Sequence, residues 1–244
     1  MSQSVLIVGA GSGLSASLAR QCHAAGMQVA LAARDGEKAH AVAKETGASL
    51  HQCDASSIAD VASLFTALDE SIGTPDLVVY NPSARLRGPI TELDPETTRA
   101  AIETTCFGAF LVAQQAARRM LQRGSGTILF TGASAGVKGF ANSSVFAMGK
   151  FGLRGLAQSL ARELHPQNIH IGHFVIDGGI ASQRADRQDD GSDRMLDPDA
   201  IAESYLQFHN QHRSAWAWEV ELRPWVETFQ PNRSSDRGRH QTRS

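Results

Sequence analysis

The feature that most restricts the fold of this chain is a glycine-rich turn that follows its first apolar run. Residues 5–8 read Val-Leu-Ile-Val, which predicts a short buried strand, and residues 16–25 have the apolar spacing of a helix. Glycines between a strand and a helix let the backbone approach a pyrophosphate closely, and the helix N-terminus offers it unpaired N–H groups. The sequence therefore predicts a phosphate-binding turn, with a tight turn that holds no ligand as the alternative. The residues predicted to hold the phosphates are Gly9, Gly11, Ser12, Gly13 and Leu14.

Apolar runs typical of strands alternate with segments of helical spacing along the rest of the chain. The predicted strands are residues 5–8, 29–32, 49–53, 77–80, 127–130, 169–176 and 219–222. The predicted helices are residues 16–25, 37–45, 58–72, 97–121, 144–164 and 198–211. Such alternation is typical of a parallel sheet covered by helices on both faces. We therefore predict the α/β class, with a Rossmann-like, doubly wound parallel sheet.

Neither a repeat nor a linker divides the sequence, which predicts a single domain over residues 1–227. Two polar segments differ from the rest. Residues 183–197 carry acidic and basic side chains without an apolar face, which predicts a mobile loop. Residues 228–244 are polar and rich in arginine, which predicts a disordered tail.

Composition and charge argue against several kinds of partner. A net charge of −2 gives no overall field that would favour nucleic acid or an anionic membrane. No run approaches the ~20 apolar residues that cross a bilayer, and the N-terminus shows no secretion signal, so we expect a cytoplasmic protein. The three cysteines are isolated and form neither a metal-ligand pair nor a disulfide framework, so no metal site is predicted.

The end of the second predicted strand indicates which dinucleotide the turn would serve. An acidic residue at that position would bind both ribose hydroxyls of NAD and repel the 2′-phosphate of NADP. Ala33 takes the position, and Arg34 follows it with a guanidinium group able to pair with the phosphate. We therefore favour NADP(H) over NAD(H) as the cofactor. The alternative is a surface arginine at a strand end, and the neighbouring Asp35 makes the preference for NADP(H) weaker.

Residues 146–150 read Phe-Ala-Met-Gly-Lys on the predicted helix 144–164. This segment resembles the Tyr-x-x-x-Lys signature of the short-chain dehydrogenase/reductase family, with Phe146 at the tyrosine position. Further segments in the family's order extend the resemblance from about residue 4 to about residue 225, and Ser15 stands where the family has the last glycine of the turn. The resemblance implies further contacts with the cofactor's adenine and nicotinamide ends from Asp54, Ala55, Asn81, Lys150, Asp177, Gly178 and Ile180.

The family's catalytic residues are an asparagine, a serine, a tyrosine and a lysine, and only the lysine is kept, as Lys150. Thr105 stands at the asparagine position and Ala133 at the usual serine position, with Ser134 beside it as the alternative serine. Phe146 has no ionisable group, so it cannot exchange the proton that accompanies hydride transfer. Lys150 can still bind the ribose of the nicotinamide nucleotide, because this role does not require the tyrosine.

Two functions follow from this pattern. The first is an atypical NADP(H)-dependent oxidoreductase that acts by hydride transfer on a small carbonyl, alcohol or imine substrate. The imine is considered because an iminium ion needs no protonation when it is reduced. The second is a catalytically inactive NADP(H)-binding protein that serves as a sensor or regulator. The resemblance also implies a homodimer or homotetramer formed through the two long helices, with no nucleic-acid or membrane partner.

Overall fold

Apolar and β-branched runs form a parallel sheet whose central strands are buried on both faces. A computed structural model describes residues 2–182, 187, 188 and 190–227. The strands of the main sheet, in chain order, are β1 Ser4–Val8, β2 Gln28–Ala33, β3 Ser49–Gln52, β4 Leu77–Tyr80, β5 Gly126–Thr131, β6 Ile169–Ile176 and β9 Glu219–Leu222. Their spatial order is β3-β2-β1-β4-β5-β6-β9, and every neighbouring pair is parallel.

Helices cover both faces of this sheet. They are α1 Leu14–Ala24, α2 Glu37–Thr46, α3 Ile58–Ser71, α4 Pro95–Ile102, α5 Gly108–Arg123, α6 Ser144–Leu164 and α7 Pro198–His209. Alternate residues of β1 point to opposite sides, so that Leu6 packs in the layer formed with α3, α5 and α6, and Ile7 packs in the layer formed with α1, α2 and α7. The predicted doubly wound, single-domain α/β fold is confirmed.

The predicted helix 97–121 is longer in the structure and is interrupted by a π-helical turn, Glu103–Phe107, between α4 and α5. The buried Tyr80 hydroxyl donates a hydrogen bond to the Thr104 carbonyl within this turn, at 2.5 Å. At the next helical residue, a Cβ on Gly108 would lie 2.6 Å from the Ala55 carbonyl oxygen, so the glycine allows the helix to approach the loop after β3. Single π turns of this kind often occur at functional sites.

The segment predicted as a mobile loop is partly ordered, which corrects that prediction for its end. Met195–Leu196 forms strand β8, which pairs in parallel with strand β7, Gly179–Ile180, in a separate two-stranded sheet. The Asp197 side chain then caps α7 by accepting a hydrogen bond from Asp199 N. Residues 183–186 and 189, and the predicted tail 228–244, lie outside the described residues. None of the helices in the described ranges is long and apolar enough to cross a membrane.

Candidate active site

The glycine-rich turn leaves the end of β1 and folds back against β2. The backbone N–H groups of Gly9 and Ala10 both donate to the Ala32 carbonyl oxygen, at 2.9 and 3.0 Å. Gly9 has φ +83°, and a Cβ at this position would lie 2.7 Å from Pro82 N. The fold therefore requires glycine at position 9 for its backbone angle and for the close approach of the loop after β4.

The other two glycines of the turn are not required by packing. A Cβ on Gly11 or on Gly13 would meet no atom within 4 Å. Gly13 is also the N-cap of α1 and places no side chain over the N-terminus of that helix. The turn thus presents bare backbone and a helix N-terminus to the solvent, which is the arrangement that a dinucleotide pyrophosphate needs.

The hydroxyl of Ser15, at the last position of the turn, binds groups of the protein itself. Its Oγ donates to the Gly9 carbonyl oxygen at 2.9 Å and accepts from Asn81 Nδ2 at 2.7 Å. The side chain is buried. Ser15 and Asn81 therefore hold the turn to the end of β4, and Asn81 acts on the turn's geometry.

A cleft of about 330 Å³ continues from the turn along the ends of β2 and β3. Its lining includes Ala33, Arg34, Lys38, Asp54 and Asn81. Lys38, at the start of α2, is a site residue that the sequence analysis missed, although its place four residues after Arg34 would have put both cations near the same strand end. The chemistry of this lining fits the adenosine half of a dinucleotide, with two cations available for a phosphate on its ribose.

Two carboxylates at this cleft accept hydrogen bonds from neighbouring residues of the chain. Asp35 Oδ1 accepts a hydrogen bond from Glu37 N at 3.0 Å and so caps the start of α2. Asp54 Oδ1 accepts from Ser56 N at 2.9 Å and from Ser56 Oγ at 2.7 Å. Asp35 also lines the cleft beside Arg34, and its hydrogen bond from Glu37 N does not neutralise a carboxylate.

Lys150 lies at the centre of the site on α6. It is 2% exposed, and its Nζ donates to the Thr131 carbonyl oxygen at the end of β5, at 2.7 Å. Burial, followed by the positive charge of Arg85, lowers the pKa of Lys150 to about 7. A lysine in this environment changes its charge within the physiological pH range.

Phe146 lies one helical turn before Lys150 and forms a small buried apolar cluster with Ala133 and Ala135. The resemblance assigns Ala133 and Phe146 to the two positions at which the family carries proton-handling hydroxyls, and both lie in this buried apolar cluster. Ser134, the alternative serine, begins the 3₁₀ turn that follows β5.

A cation lies over the ring of Phe146, a contact that the sequence did not reveal. The Cζ atom of Arg85, in the loop after β4, is 4.7 Å from the ring centroid, and Lys150 Nζ is 5.8 Å from it. Arg85 is exposed, whereas Phe146 is 7% exposed. The ring is thus a boundary between the buried lysine and a guanidinium group that solvent can reach.

Thr105, at the family's asparagine position, lies within the π turn and is 1% exposed. Its Oγ1 accepts a hydrogen bond from Ala84 N at 3.1 Å. A Cβ on Gly149 would lie 2.9 Å from Thr105 Cβ, so the π turn packs directly on α6 beside Lys150. Thr105 therefore connects the active-site helix to the loop that carries Arg85.

A buried polar network under α6 was also missed by the sequence analysis, because an isolated histidine within a strand gives no pattern. His173 on β6 is fully buried, and its Nδ1 lies 3.0 Å from a carboxylate oxygen of Glu219. A carboxylate only accepts hydrogen bonds, so Nδ1 carries the proton. Arg154, one turn after Lys150, holds both oxygens of the same carboxylate at 2.6 and 2.8 Å. Burial lowers the pKa of His173 to about 4, so this imidazole is neutral at pH 7.

The segment predicted to lie beside the nicotinamide follows β6 and is held from several sides. Asp177 pairs with Arg223 at 3.0 Å and with Lys138 at 3.6 Å. A Cβ on Gly178 would lie 2.9 Å from Pro224 Cδ, and Ile180 pairs with Leu196 in the small sheet. Asp177 therefore fixes this wall of the site to the end of β9 and to the loop after β5. Across residues 2–182 and 190–227, no group of His, Cys, Asp and Glu side chains is arranged to hold a metal ion.

A glycine-rich turn at β1, an asparagine after β4 and a buried lysine on α6 thus meet at one edge of a parallel sheet. A family model described as short chain dehydrogenase matches residues 3–191. The chain belongs to the short-chain dehydrogenase family. The predicted family is therefore confirmed.

Relatives within the family agree with this assignment. The chain is 30% identical over 169 residues to the 3-oxoacyl-[acyl-carrier-protein] reductase MabA of Mycobacterium bovis, a match that covers 69% of this chain and 66% of the relative, slightly under two thirds of its length. A short-chain dehydrogenase from Rhodopseudomonas palustris has a similar crystal structure, with a TM-score of 0.80 and 33% identity over 91% of this chain and 99% of that one. A metagenomic short-chain oxidoreductase solved in complex with NADP has a TM-score of 0.80 and 27% identity over 92% and 98% of the two chains.

Proposed function

We propose that this protein is an NADP(H)-dependent oxidoreductase that exchanges a hydride with a small carbonyl, alcohol or imine substrate. The observation that carries the proposal is the cleft at the end of β2, where Arg34 and Lys38 line the space beside Ala33 while the Asp35 carboxylate caps α2. A 2′-phosphate would neutralise these two cations, whereas the free ribose hydroxyls of NAD would not. One solved relative contains NADP, which agrees with this choice.

The bare turn over residues 9–13 would hold the pyrophosphate, and Asp54 and Ala55 would lie at the adenine. Lys150 would bind the nicotinamide ribose, with Gly178 and Ile180 along the nicotinamide. The nicotinamide supplies the hydride when the cofactor is bound. The chain itself would position the substrate, line one wall of the site with the apolar Phe146 cluster, and control charge through Lys150.

A second function, that of an NADP(H)-binding sensor or regulator without catalysis, is favoured by one specific observation. Both positions that the resemblance assigns to the family's hydroxyls are apolar here, and Ala133 and Phe146 belong to one small buried cluster. General acid catalysis typically contributes 10²–10⁴ in rate, so its loss leaves at best a slow enzyme.

A turnover assay distinguishes the oxidoreductase from the sensor. NADPH consumption would be followed by absorbance with a panel of ketones, aldehydes and cyclic imines at high enzyme concentration. The oxidoreductase predicts slow, substrate-dependent oxidation of NADPH with formation of the reduced product. A sensor predicts NADPH binding without any reduced product, even after many hours.

We also propose a homodimer or homotetramer formed through the long helices. Phe107 and Phe110, whose rings stack at 6.1 Å, lie on the surface at the start of α5, and Met148 and Phe151 lie on the surface of α6. These four side chains are 40–57% exposed, on helical segments that pack together through Gly152 and Cys106. Apolar side chains grouped on adjacent helices are typical of a subunit interface.

A further inference from the structure

Two cations lie near Phe146, where the hydroxyls that assist the reaction in the family are missing. Arg85 Cζ lies 4.7 Å from the ring centroid, and Lys150 Nζ lies 5.8 Å from it. Lys150 is fully enclosed and donates to the Thr131 carbonyl. Arg85, in contrast, is exposed, so its guanidinium group is the cation that a substrate entering over Phe146 would meet first.

Arg85 and Lys150 interact electrostatically. The charge of Arg85 contributes to the lowered pKa of Lys150, after the larger effect of burial. Among the described residues, His173 on β6 interacts electrostatically with both Lys150 and Arg154. His173 is neutral at pH 7 and Arg154 is paired with Glu219, and the charge that contributes to the lowered pKa of Lys150 is that of Arg85 in the loop after β4.

The positive charge near Phe146 affects a carbonyl substrate and an iminium substrate differently. A carbonyl oxygen gains negative charge as its carbon accepts a hydride, and a fixed guanidinium group stabilises that charge. An iminium ion is itself a cation, which Arg85 and Lys150 would repel, and it loses its charge when it is reduced. The surroundings of Phe146 therefore favour a carbonyl group over an iminium ion.

We propose that Arg85 is a catalytic residue that replaces the missing tyrosine and serine hydroxyls, and that the substrate is a ketone or an aldehyde. This inference rests on the proposed oxidoreductase function and deepens it. The carbonyl carbon gains a C–H bond as it accepts the hydride, and the electron pair of the C=O π bond moves onto the oxygen. Guanidinium N–H groups of Arg85 donate hydrogen bonds to the resulting alkoxide. The alkoxide then takes a proton from solvent water, which the exposure of Arg85 shows can reach this place.

Kinetics of substituted proteins test the proposal with an activated trifluoromethyl aryl ketone as the probe and NADPH as the reductant. Arg85→Ala should lower kcat roughly 10²-fold, a typical effect of removing one group that stabilises an oxyanion, with folding checked by circular dichroism. Arg85→Lys should recover little, because lysine lacks the planar donor pair. Millimolar guanidinium chloride should partly restore Arg85→Ala, and so should the additional change Phe146→Tyr, which returns a hydroxyl. Arg118→Ala, an exposed arginine on α5, is the matched control and should react like the wild-type protein.

A measurement that does not require turnover tests the effect of Arg85 on Lys150. The pKa of Lys150, followed by NMR on protein labelled with ¹³C-lysine, should rise in Arg85→Ala because one source of positive charge is gone. An unchanged pKa of Lys150 would overturn the inference, and so would an Arg85→Ala protein within twofold of wild-type kcat, or a cyclic imine reduced faster than the ketone.

The inference and the proposed function fail in different ways. A protein that binds neither NADPH nor NADH contradicts the proposed function itself. A wild-type protein that binds NADPH but reduces no ketone overturns the role of Arg85 and leaves cofactor binding in place.

Discussion

The guanidinium carbon of Arg85 lies 4.7 Å from the ring centroid of Phe146, at the position where a member of this family normally carries its catalytic tyrosine. The ring keeps the shape of that side chain, packs on Ala133 and Ala135, and separates the exposed cation from the buried Lys150. The site is thus altered in its chemistry and preserved in its packing. Four predictions follow from the contacts around it and around the cofactor cleft.

The first concerns the cations of the cofactor cleft. Arg34→Ala and Lys38→Ala should each weaken NADPH binding by about tenfold, since each removes a charge-assisted hydrogen bond to the phosphate. NADH binding should change by less than twofold. Isothermal calorimetry measures both, and Lys44→Ala, an exposed lysine further along α2, serves as the control with unchanged affinities. Equal losses for NADPH and NADH would show that these cations do not read the 2′-phosphate.

The second concerns the two kinds of glycine in the turn. Gly9→Ala should destabilise the fold by at least ~2 kcal/mol, because residue 9 has φ +83° and its Cβ would lie 2.7 Å from Pro82 N. Gly11→Ala should leave the free energy of unfolding nearly unchanged, since its Cβ meets no atom within 4 Å, yet should weaken NADPH binding. Urea denaturation and calorimetry on both proteins check this. A Gly11→Ala protein with wild-type affinity would mean that no ligand approaches the turn closely.

The third prediction concerns variants that restore the missing hydroxyls. Phe146→Tyr should raise the rate of ketone reduction by roughly 10-fold to 10²-fold, within the usual range for a positioned proton donor. Ala133→Ser should add to this gain in the double variant, because the two side chains lie in the same small buried cluster. Steady-state kinetics with NADPH measure the effect, and Ala135→Ser, in the same cluster, is the control. No gain from Phe146→Tyr on carbonyl substrates would contradict this prediction and would leave an imine as the alternative substrate.

The fourth concerns the charge of Lys150. Its pKa is lowered in the folded protein, from 10.5 to about 7, so the folded state binds fewer protons than the unfolded state between these values. The burial penalty is therefore fully present below pH 7 and disappears as the pH rises towards 10.5. Lys150→Met should be more stable than the wild-type protein by about 1–3 kcal/mol at pH 6.5, and this advantage should shrink at pH 9.5. Urea denaturation at both pH values measures it, and a Lys150→Met protein less stable at pH 6.5 would contradict the account.

Much of the fold was accessible from the sequence because it depends on periodicity and on backbone requirements. The apolar run before Gly9 and the long helical pattern around Lys150 each determine an element by local rules, and both elements lie where they were predicted. The π turn around Thr105 was not accessible, because no local pattern marks it, and the hydrogen bond that Tyr80 donates to the Thr104 carbonyl within it comes from twenty-four residues earlier in the chain.

In the site, only residues at positions that match the family's motifs could be predicted from the sequence. Ser15 illustrates the limit, since its hydroxyl binds Gly9 and Asn81 instead of facing the phosphates. His173 and Glu219 escaped attention because only the pairing of β6 with β9 brings them together. The position of Arg85 over Phe146 depends on the path of an irregular loop, which no periodic pattern describes.

The most direct test of the central claim is a calorimetric titration of the wild-type protein with NADPH and with NADH under the same conditions. The account predicts that NADPH binds at least tenfold more tightly than NADH, because Arg34 and Lys38 line the cleft at the end of β2. Binding of neither nucleotide, or a clear preference for NADH, would contradict it.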